Sequence, residues 1–159
     1  MRPLFFILII VIFASCVSKS PQSQAQSNTQ TSGYDSTLAQ KLGADKYGMR
    51  QYVMAFLKRG PNRNQDSTQA RELQRAHLDN ISRLANEGKL SLAGPFMDDG
   101  ELRGIYIFNV SSIDEAIELT KTDPAIKAGR LVMEMHPWYG SAALMQVNEI
   151  HSRLSKENI

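Results

Sequence analysis

The chain has 159 residues, of which 18 are lysine or arginine and 16 are aspartate or glutamate, so its formal charge is +2. This near balance excludes nucleic-acid binding driven by bulk positive charge. A hydrophobic fraction of 42% predicts a globular fold, and the length fits one domain. The single cysteine, Cys16, cannot form an internal disulfide, so the fold does not depend on one.

The first 15 residues have the pattern of a secretory signal peptide. Arg2 precedes ten apolar residues, 4–13, and this run is too short for a transmembrane helix, which needs about 20. Residues 13–16, Phe-Ala-Ser-Cys, resemble the lipobox of bacterial lipoproteins, in which the cysteine is diacylglycerylated and becomes the first residue after cleavage. The resemblance implies an exported protein tethered by lipid on Cys16. The alternative is an ordinary signal peptide.

Residues 16–47 are expected to form a flexible polar stalk. Serine, glutamine, threonine and asparagine dominate residues 17–40, and few apolar side chains are present to offset the entropy lost on ordering. The segment after Cys16 is not acidic, and we therefore expect the periplasmic face of the membrane as its location. The folded domain is predicted at residues 48–156.

Periodicity and turn signals predict six core elements and a C-terminal helix. In chain order they are a strand at 52–57, a helix that begins after Asp66 and ends at Gly88, strands at 90–96 and 102–110, a helix capped by Ser112, a strand at 130–136 ended by Pro137, and a last helix beyond Gly140. The order βαββαβ is that of the ferredoxin-like fold. We therefore predict an α+β domain with a four-stranded antiparallel sheet and both helices on one face.

The second face of this sheet also needs a cover, because both faces of the first strand are apolar. Tyr52, Met54 and Phe56 alternate with Val53, Ala55 and Leu57. One candidate cover is the C-terminal helix, whose apolar stripe consists of Leu144, Val147, Ile150 and Leu154. The other is a second subunit packed sheet against sheet, and we expect this homodimer.

Acid–base chemistry near neutral pH depends on three histidines. His77 takes the place of a leucine on the apolar face of the first helix, where it is either a packed core residue or a functional one. His136 ends the fourth strand before a proline and two aromatic residues, which is typical of a pocket rim or of an exposed strand end. His151 is expected on the solvent side of the last helix.

The sequence has no phosphate-binding loop, dinucleotide-binding glycine motif, paired-cysteine zinc spacing or nucleophile elbow. No cofactor or metal is therefore predicted. Asp123, before Pro124, is either a helix-stop device or a functional carboxylate. A carboxylate beside a histidine would fix its tautomer and stabilise the imidazolium, but local spacing does not show which aspartate meets His77.

Several short segments, in this order, resemble the YCII-related (YciI-like) family. They are Tyr52-Val53-Met54, Arg75-Ala76-His77-Leu78, Ala93-Gly94-Pro95, Ser112-Ile113-Asp114-Glu115-Ala116, Asp123-Pro124 and Ala128-Gly129. The resemblance covers about residues 50–139 and implies a ferredoxin-like dimeric α+β barrel with a histidine–aspartate pair in a pocket. The helix histidine corresponds to His77 and the Asp-Pro aspartate to Asp123. One relative is implicated in dehydrochlorination of a hydroxylated aromatic ring, whereas most have no assigned reaction.

Two hypotheses for function follow. In the first, an exported, lipid-anchored enzyme uses His77 as general acid or base, oriented by Asp123, in a lyase or isomerase step on a small cyclic or aromatic substrate. The residues expected to line its pocket are Arg59, Gly94, Pro95, His136 and Trp138. In the second, a non-catalytic module binds a small ligand or assembles envelope proteins. The first requires His77 to meet a carboxylate and to open into a cavity.

Overall fold

The computed structural model of the protein describes residues 33–157. The predicted signal peptide, Cys16 and the stalk up to residue 32 lie outside the described residues. Among residues 33–157, no helix is long and apolar enough to cross a bilayer.

The described chain folds into a single sheet with helices. The elements are α1 Ser36–Leu42, β1 Met49–Arg59, α2 Ser67–Asn86, β2 Leu90–Pro95, β3 Leu102–Phe108, α3 Ile113–Thr120, α4 Pro124–Lys127, β4 Leu131–Ser141, a 3₁₀ helix Ala142–Gln146 and α5 Val147–Leu154. The four strands are antiparallel and lie in the order β2-β3-β1-β4. This confirms the predicted α+β fold.

The stalk prediction is wrong for its last part, because α1 occupies Ser36–Leu42. The Asp35 side chain caps this helix by accepting a hydrogen bond from the Leu38 N–H at 2.9 Å. Gly43 ends it in the left-handed conformation, with φ of 65°. Leu42 is buried, and its carbonyl oxygen accepts a hydrogen bond from Arg50 Nη1 at 2.8 Å. This contact comes from β1, so local composition could not indicate it.

Helix α2 begins and ends close to the predicted positions. The Asp66 carboxylate accepts hydrogen bonds from the N–H groups of Thr68 and Gln69, and the Gln69 side chain accepts one from the Asp66 N–H. This capping box satisfies donors that the first helical turn cannot pair. Its position sets the phase of the helix, so that His77 and Leu84 face the sheet and are buried.

The core lies between the helices and the first face of the sheet. Its central residues come from neighbouring strands in register, with Val53 opposite Phe108 and Ala55 opposite Tyr106. All four are at most 2% exposed. Leu84 of α2 packs on this layer. Burial of these side chains accounts for the regular βαββαβ packing that the sequence pattern predicts.

Strand β4 is longer than predicted. Pro137 does not end it, because the strand continues to Ser141 and Pro137 lies opposite Val53 in the ladder. A proline cannot donate a backbone hydrogen bond, but β4 is an edge strand and needs no donor on its outer side. The extension brings Trp138 and Tyr139 into the sheet, where they pair with Tyr52 and Gln51.

The C-terminal segment covers only one end of the second face. There Tyr52 and Ile107 are buried, and the Tyr52 hydroxyl donates to the Ser141 carbonyl oxygen at 3.0 Å. Docking of α5 along its whole apolar stripe is a wrong prediction, since Ile150 is 49% and Leu154 76% exposed. The helix contacts β2 near its first turn instead, where Asn148 Nδ2 donates to the Leu90 carbonyl oxygen at 2.7 Å.

Candidate functional site

The fold brings His77 and Asp123 together. His77 lies in the middle of α2, and Asp123 precedes α4, which packs against α2. The distance from His77 Nδ1 to Asp123 Oδ2 is 2.6 Å, although the residues are 46 positions apart in the chain. Their exposed fractions are 6% and 0%. The sequence pattern placed His77 facing the sheet, and only the tertiary structure shows its aspartate partner.

Asp123 has a second, structural contact. Its Oδ1 accepts a hydrogen bond from the Ala125 N–H at 2.8 Å, so the carboxylate also caps α4, with Pro124 as the first helical residue. The two interpretations of the Asp-Pro corner are therefore compatible. Because one oxygen is held by the helix, the other is fixed in direction toward the imidazole.

Tyr106 is a third member of the site, and sequence reasoning missed it. Its hydroxyl lies 3.4 Å from His77 Nε2, and the two rings stack at 6.2 Å between centroids. Burial, with a smaller contribution from the negative charge of Asp123, raises the pKa of Tyr106 well above its usual value. The phenol therefore stays protonated at neutral pH and is a hydrogen-bond donor. Its place on the inner face of β3 looks like that of an ordinary core aromatic.

The tautomer of His77 follows from these contacts. The Asp123 carboxylate can only accept, so Nδ1 carries the hydrogen that joins the pair. In the neutral imidazole Nε2 is then unprotonated and is an acceptor facing the Tyr106 hydroxyl. The arrangement can take up a proton at Nε2 and stabilise the resulting imidazolium with the Asp123 charge.

A polar network holds the α3–α4 junction, which carries Asp123, against α2. Asn80 lies one turn after His77, and its Oδ1 accepts hydrogen bonds from Thr122 Oγ1 at 3.0 Å and from Arg83 Nη2 at 2.9 Å. Arg83 Nη2 also donates to Thr122 Oγ1. Because Thr122 is adjacent to Asp123, the network restrains the carboxylate relative to the helix that carries the imidazole.

Three of the predicted pocket residues do not surround this pair, because strand alternation puts Gly94, His136 and Trp138 on the second face of the sheet. His136 Nε2 lies 3.0 Å from Glu134 Oε1, and its ring is 5.9 Å from that of Phe56. The Trp138 ring lies 5.8 Å from that of Tyr52.

The other two predicted pocket residues lie at the far end of the strands. Arg59 Nη2 contacts Asp99 Oδ1 at 3.1 Å in the β2–β3 turn, and Pro95 is exposed there. Within one chain, the five residues predicted to line a pocket therefore do not surround a common cavity. The sequence could not show this, since the register and order of the strands decide which side chains share a face.

Two cavities in the described residues are lined by other side chains, so neither of them meets, in the single chain, the requirement that His77 open into a cavity. One, of about 600 Å³, lies where β1 begins, and the other, of about 380 Å³, is an apolar space between α3, α4 and β4. His151 is exposed, as predicted. Among residues 33–157, no group of three or more histidine, cysteine, aspartate or glutamate side chains could hold a metal ion.

Known proteins that are similar to this chain include the following two. The uncharacterized protein YjpA of Bacillus subtilis is 31% identical over 62 residues, which cover 39% of this chain and 71% of YjpA. The solved structure of 5-chloro-2-hydroxyhydroquinone dehydrochlorinase (TftG) from Burkholderia phenoliruptrix, in complex with 2,5-dihydroxybenzoquinone, is 23% identical. It has a TM-score of 0.41, and the match covers 56% of this chain and 93% of TftG.

The domain itself is matched by a family model. Residues 52–138 match the model of the YCII-related domain, and this span includes most of β1, α2, His77, Tyr106, Asp123 and most of β4. The match covers more than half of the chain. The chain therefore belongs to the YCII-related family.

Proposed function

We propose that the protein catalyses a lyase or isomerase step on a small molecule, with His77 as the general acid or base. The observation that carries the proposal is the buried contact of 2.6 Å between His77 Nδ1 and Asp123 Oδ2. A carboxylate in this position fixes the tautomer of the imidazole, keeps it in one orientation and stabilises the imidazolium formed during the reaction. Membership of the YCII-related family is consistent with a small-molecule substrate.

The proposed step begins with proton removal from a carbon of the substrate by His77 Nε2. The electron pair left on carbon then either expels a leaving group or moves to a neighbouring position that is reprotonated by the imidazolium. Asp123 stabilises the positive charge that the ring acquires during the step. For a substrate atom to reach Nε2, the Tyr106 hydroxyl has to give up its 3.4 Å contact, and it then becomes a donor available to the substrate.

The test combines ligand identification with two substitutions. Mass spectrometry of small molecules that co-purify with the full chain supplies the candidate substrate or product. His77→Gln and Asp123→Asn are each expected to lower kcat about a hundredfold to ten-thousandfold, since general acid–base catalysis contributes about this much. His151→Gln, on the exposed side of α5, is the control and should keep the wild-type rate. Wild-type turnover in His77→Gln would contradict the proposal.

One observation favours a second candidate, a non-catalytic module that binds a small ligand. His77 is only 6% exposed, and side chains pack on both of its ring nitrogens. In that case His77 and Asp123 stabilise the fold, and the co-purified molecule would be released unchanged after prolonged incubation. Product formation by the wild type separates the two functions.

We propose that the protein is exported and held at the periplasmic face of the membrane by lipid on Cys16. Support comes from the signal-peptide pattern of residues 1–15 and the lipobox-like residues 13–16. More than one acyl chain on the cysteine would give stable anchoring, at about 0.8 kcal/mol for each buried methylene. Metabolic labelling with palmitate should mark the wild type and leave Cys16→Ala unlabelled. Equal labelling of both would exclude lipid attachment at Cys16.

We also propose a homodimer formed through the second face of the sheet. The part of this face beyond the C-terminal segment carries Met54, Phe56 and Ile105, all half-buried in the single chain, beside Val132, which is 40% exposed. The same face also carries the Lys58–Glu134 ion pair and His136, so the apolar patch is bordered by polar side chains, an arrangement typical of an interface. A second copy is the natural partner, because its own second face carries the same apolar residues and can pack against this one about a two-fold axis.

A further inference from the structure

The larger cavity lies at the start of β1, away from the His77–Asp123 pair. Its volume is about 600 Å³, and its charged lining residues are Asp45, Arg50, Lys89 and Glu115. This volume falls in the range of natural small-molecule sites. Part of the wall, including Asp45 and Arg50, precedes residues 52–138, so this cavity is partly built by segments outside the YCII-related domain.

Arg50 is a partly buried cation without a counter-charge. Its Nη1 donates to the Leu42 carbonyl oxygen at 2.8 Å and its Nη2 to Asn109 Oδ1 at 2.7 Å, and both acceptors are neutral. Its Nε is buried and has no acceptor among the described residues. No described carboxylate forms an ion pair with it. Because a cation removed from water is costly unless it is paired, an anion in the cavity would stabilise this site.

Lys89 brings a second cation to the same cavity. Its side chain is exposed and forms no hydrogen bond or ion pair with residues 33–157. It lies just after α2, whereas Arg50 lies on β1. The tertiary structure therefore places two positive groups, far apart in the chain, around one opening.

The two acidic residues of the lining are occupied by other donors. Asp45 Oδ1 accepts hydrogen bonds from the N–H groups of Tyr47 and Met49, and its other oxygen accepts one from the Tyr139 hydroxyl. Glu115 Oε2 accepts from the N–H and the hydroxyl of Ser111, both at 3.0 Å. Hydrogen bonding from Tyr139 to Asp45 and from Ser111 to Glu115 lowers the pKa of both carboxyl groups, with a smaller contribution from the charge of Lys89 at Glu115. Neither carboxylate forms an ion pair with Arg50.

We propose that this cavity binds a small anion that carries a carboxylate or phosphate group, with Arg50 and Lys89 as its cationic partners. The guanidinium group retains N–H donors beyond the two in use, and planar oxyanions match such donors well. Lys89 adds a mobile point charge that can follow the bound anion. This site is separate from the proposed acid–base pair, so either proposal can fail without the other.

The test is calorimetric titration of the full chain with inorganic phosphate and, separately, with succinate at constant ionic strength. Saturable binding of at least one probe is expected, and the probe that binds distinguishes phosphate from carboxylate ligands. Lys89→Ala should weaken that binding about tenfold, the effect of losing one charge-assisted contact. The control is Lys127→Ala, which removes the same charge from an exposed position on α4. This variant should bind the probe with the wild-type affinity.

Lys89→Ala is the deciding variant, because Arg50 also holds Leu42 and Asn109 and its replacement could unfold α1. Absence of saturable binding to both probes would overturn the proposal. So would equal affinities of the wild type and Lys89→Ala, since the binding would then lie at another surface. If Lys127→Ala weakened probe binding as much as Lys89→Ala does, the loss would reflect the overall charge of the protein. That result would also overturn the proposal.

Discussion

Replacing Asp123 by alanine is expected to lower the free energy of unfolding by about 3 kcal/mol. The substitution removes the cap of α4, and it leaves the His77 Nδ1–H buried without an acceptor. Loss of a cap costs about 1 kcal/mol, and an unsatisfied buried donor costs about 1–3 kcal/mol. Urea denaturation followed by circular dichroism measures the difference.

A matched control separates capping from the contact with His77. Asp35 caps α1 with the same kind of hydrogen bond but is exposed and has no histidine partner. Asp35→Ala should therefore cost about 1 kcal/mol or less. A double substitution, His77→Leu with Asp123→Ala, removes both polar groups and should recover part of the loss. If Asp123→Ala costs no more than Asp35→Ala, the buried pair contributes nothing to stability.

A single glutamate in place of Phe56 is expected to convert the proposed homodimer into monomers. Phe56 lies in the uncovered part of the second face, next to His136. The substitution removes the apolar ring from the interface and places a second carboxylate opposite Glu134 of β4, so the dissociation constant of the dimer should rise at least about a hundredfold, or about 3 kcal/mol. Size-exclusion chromatography with light scattering at micromolar concentration gives the molar mass.

The control for this experiment is Leu154→Glu on α5, where the side chain is already 76% exposed. This substitution adds the same charge to a surface outside the proposed interface, so the variant protein should remain dimeric. Circular dichroism should show an intact fold in both variants, since Phe56 is only half-buried in the single chain. A monomeric wild type would refute the dimer, and a dimeric Phe56→Glu would place the interface elsewhere.

Local signals predicted most of the secondary structure. The capping box of α2 joins Asp66 and Gln69, which are three residues apart, so the local sequence is enough to predict where this helix begins. Ser112 caps α3 in the same way, through the Glu115 N–H. The three errors depended on distant contacts: α1 is held by Arg50, β4 continues past Pro137 because it is an edge strand, and the first turn of α5 is held at β2 by the hydrogen bond from Asn148 to the Leu90 carbonyl oxygen.

The candidate site was predicted in part. His77 stands out in sequence because a polar residue occupies an apolar helical face, and the Asp-Pro corner together with the family resemblance pointed to Asp123. Tyr106 gave no signal, since an aromatic residue on the inner face of a strand is common in cores. In a single chain the five expected pocket residues lie apart, because alternation puts three of them on the second face of the sheet and the strand ends hold the other two, so their shared lining stays a prediction.

The sequence by itself determined the βαββαβ order, the phase of α2 and the single, unpaired cysteine, because these depend on local periodicity, capping and composition. The tertiary structure alone decided which aspartate meets His77, that Tyr106 faces Nε2, and that Arg50 and Lys89 share one cavity. Each of these contacts joins residues far apart in the chain. Strand order and helix packing therefore set the chemistry of the cavity and of the buried pair.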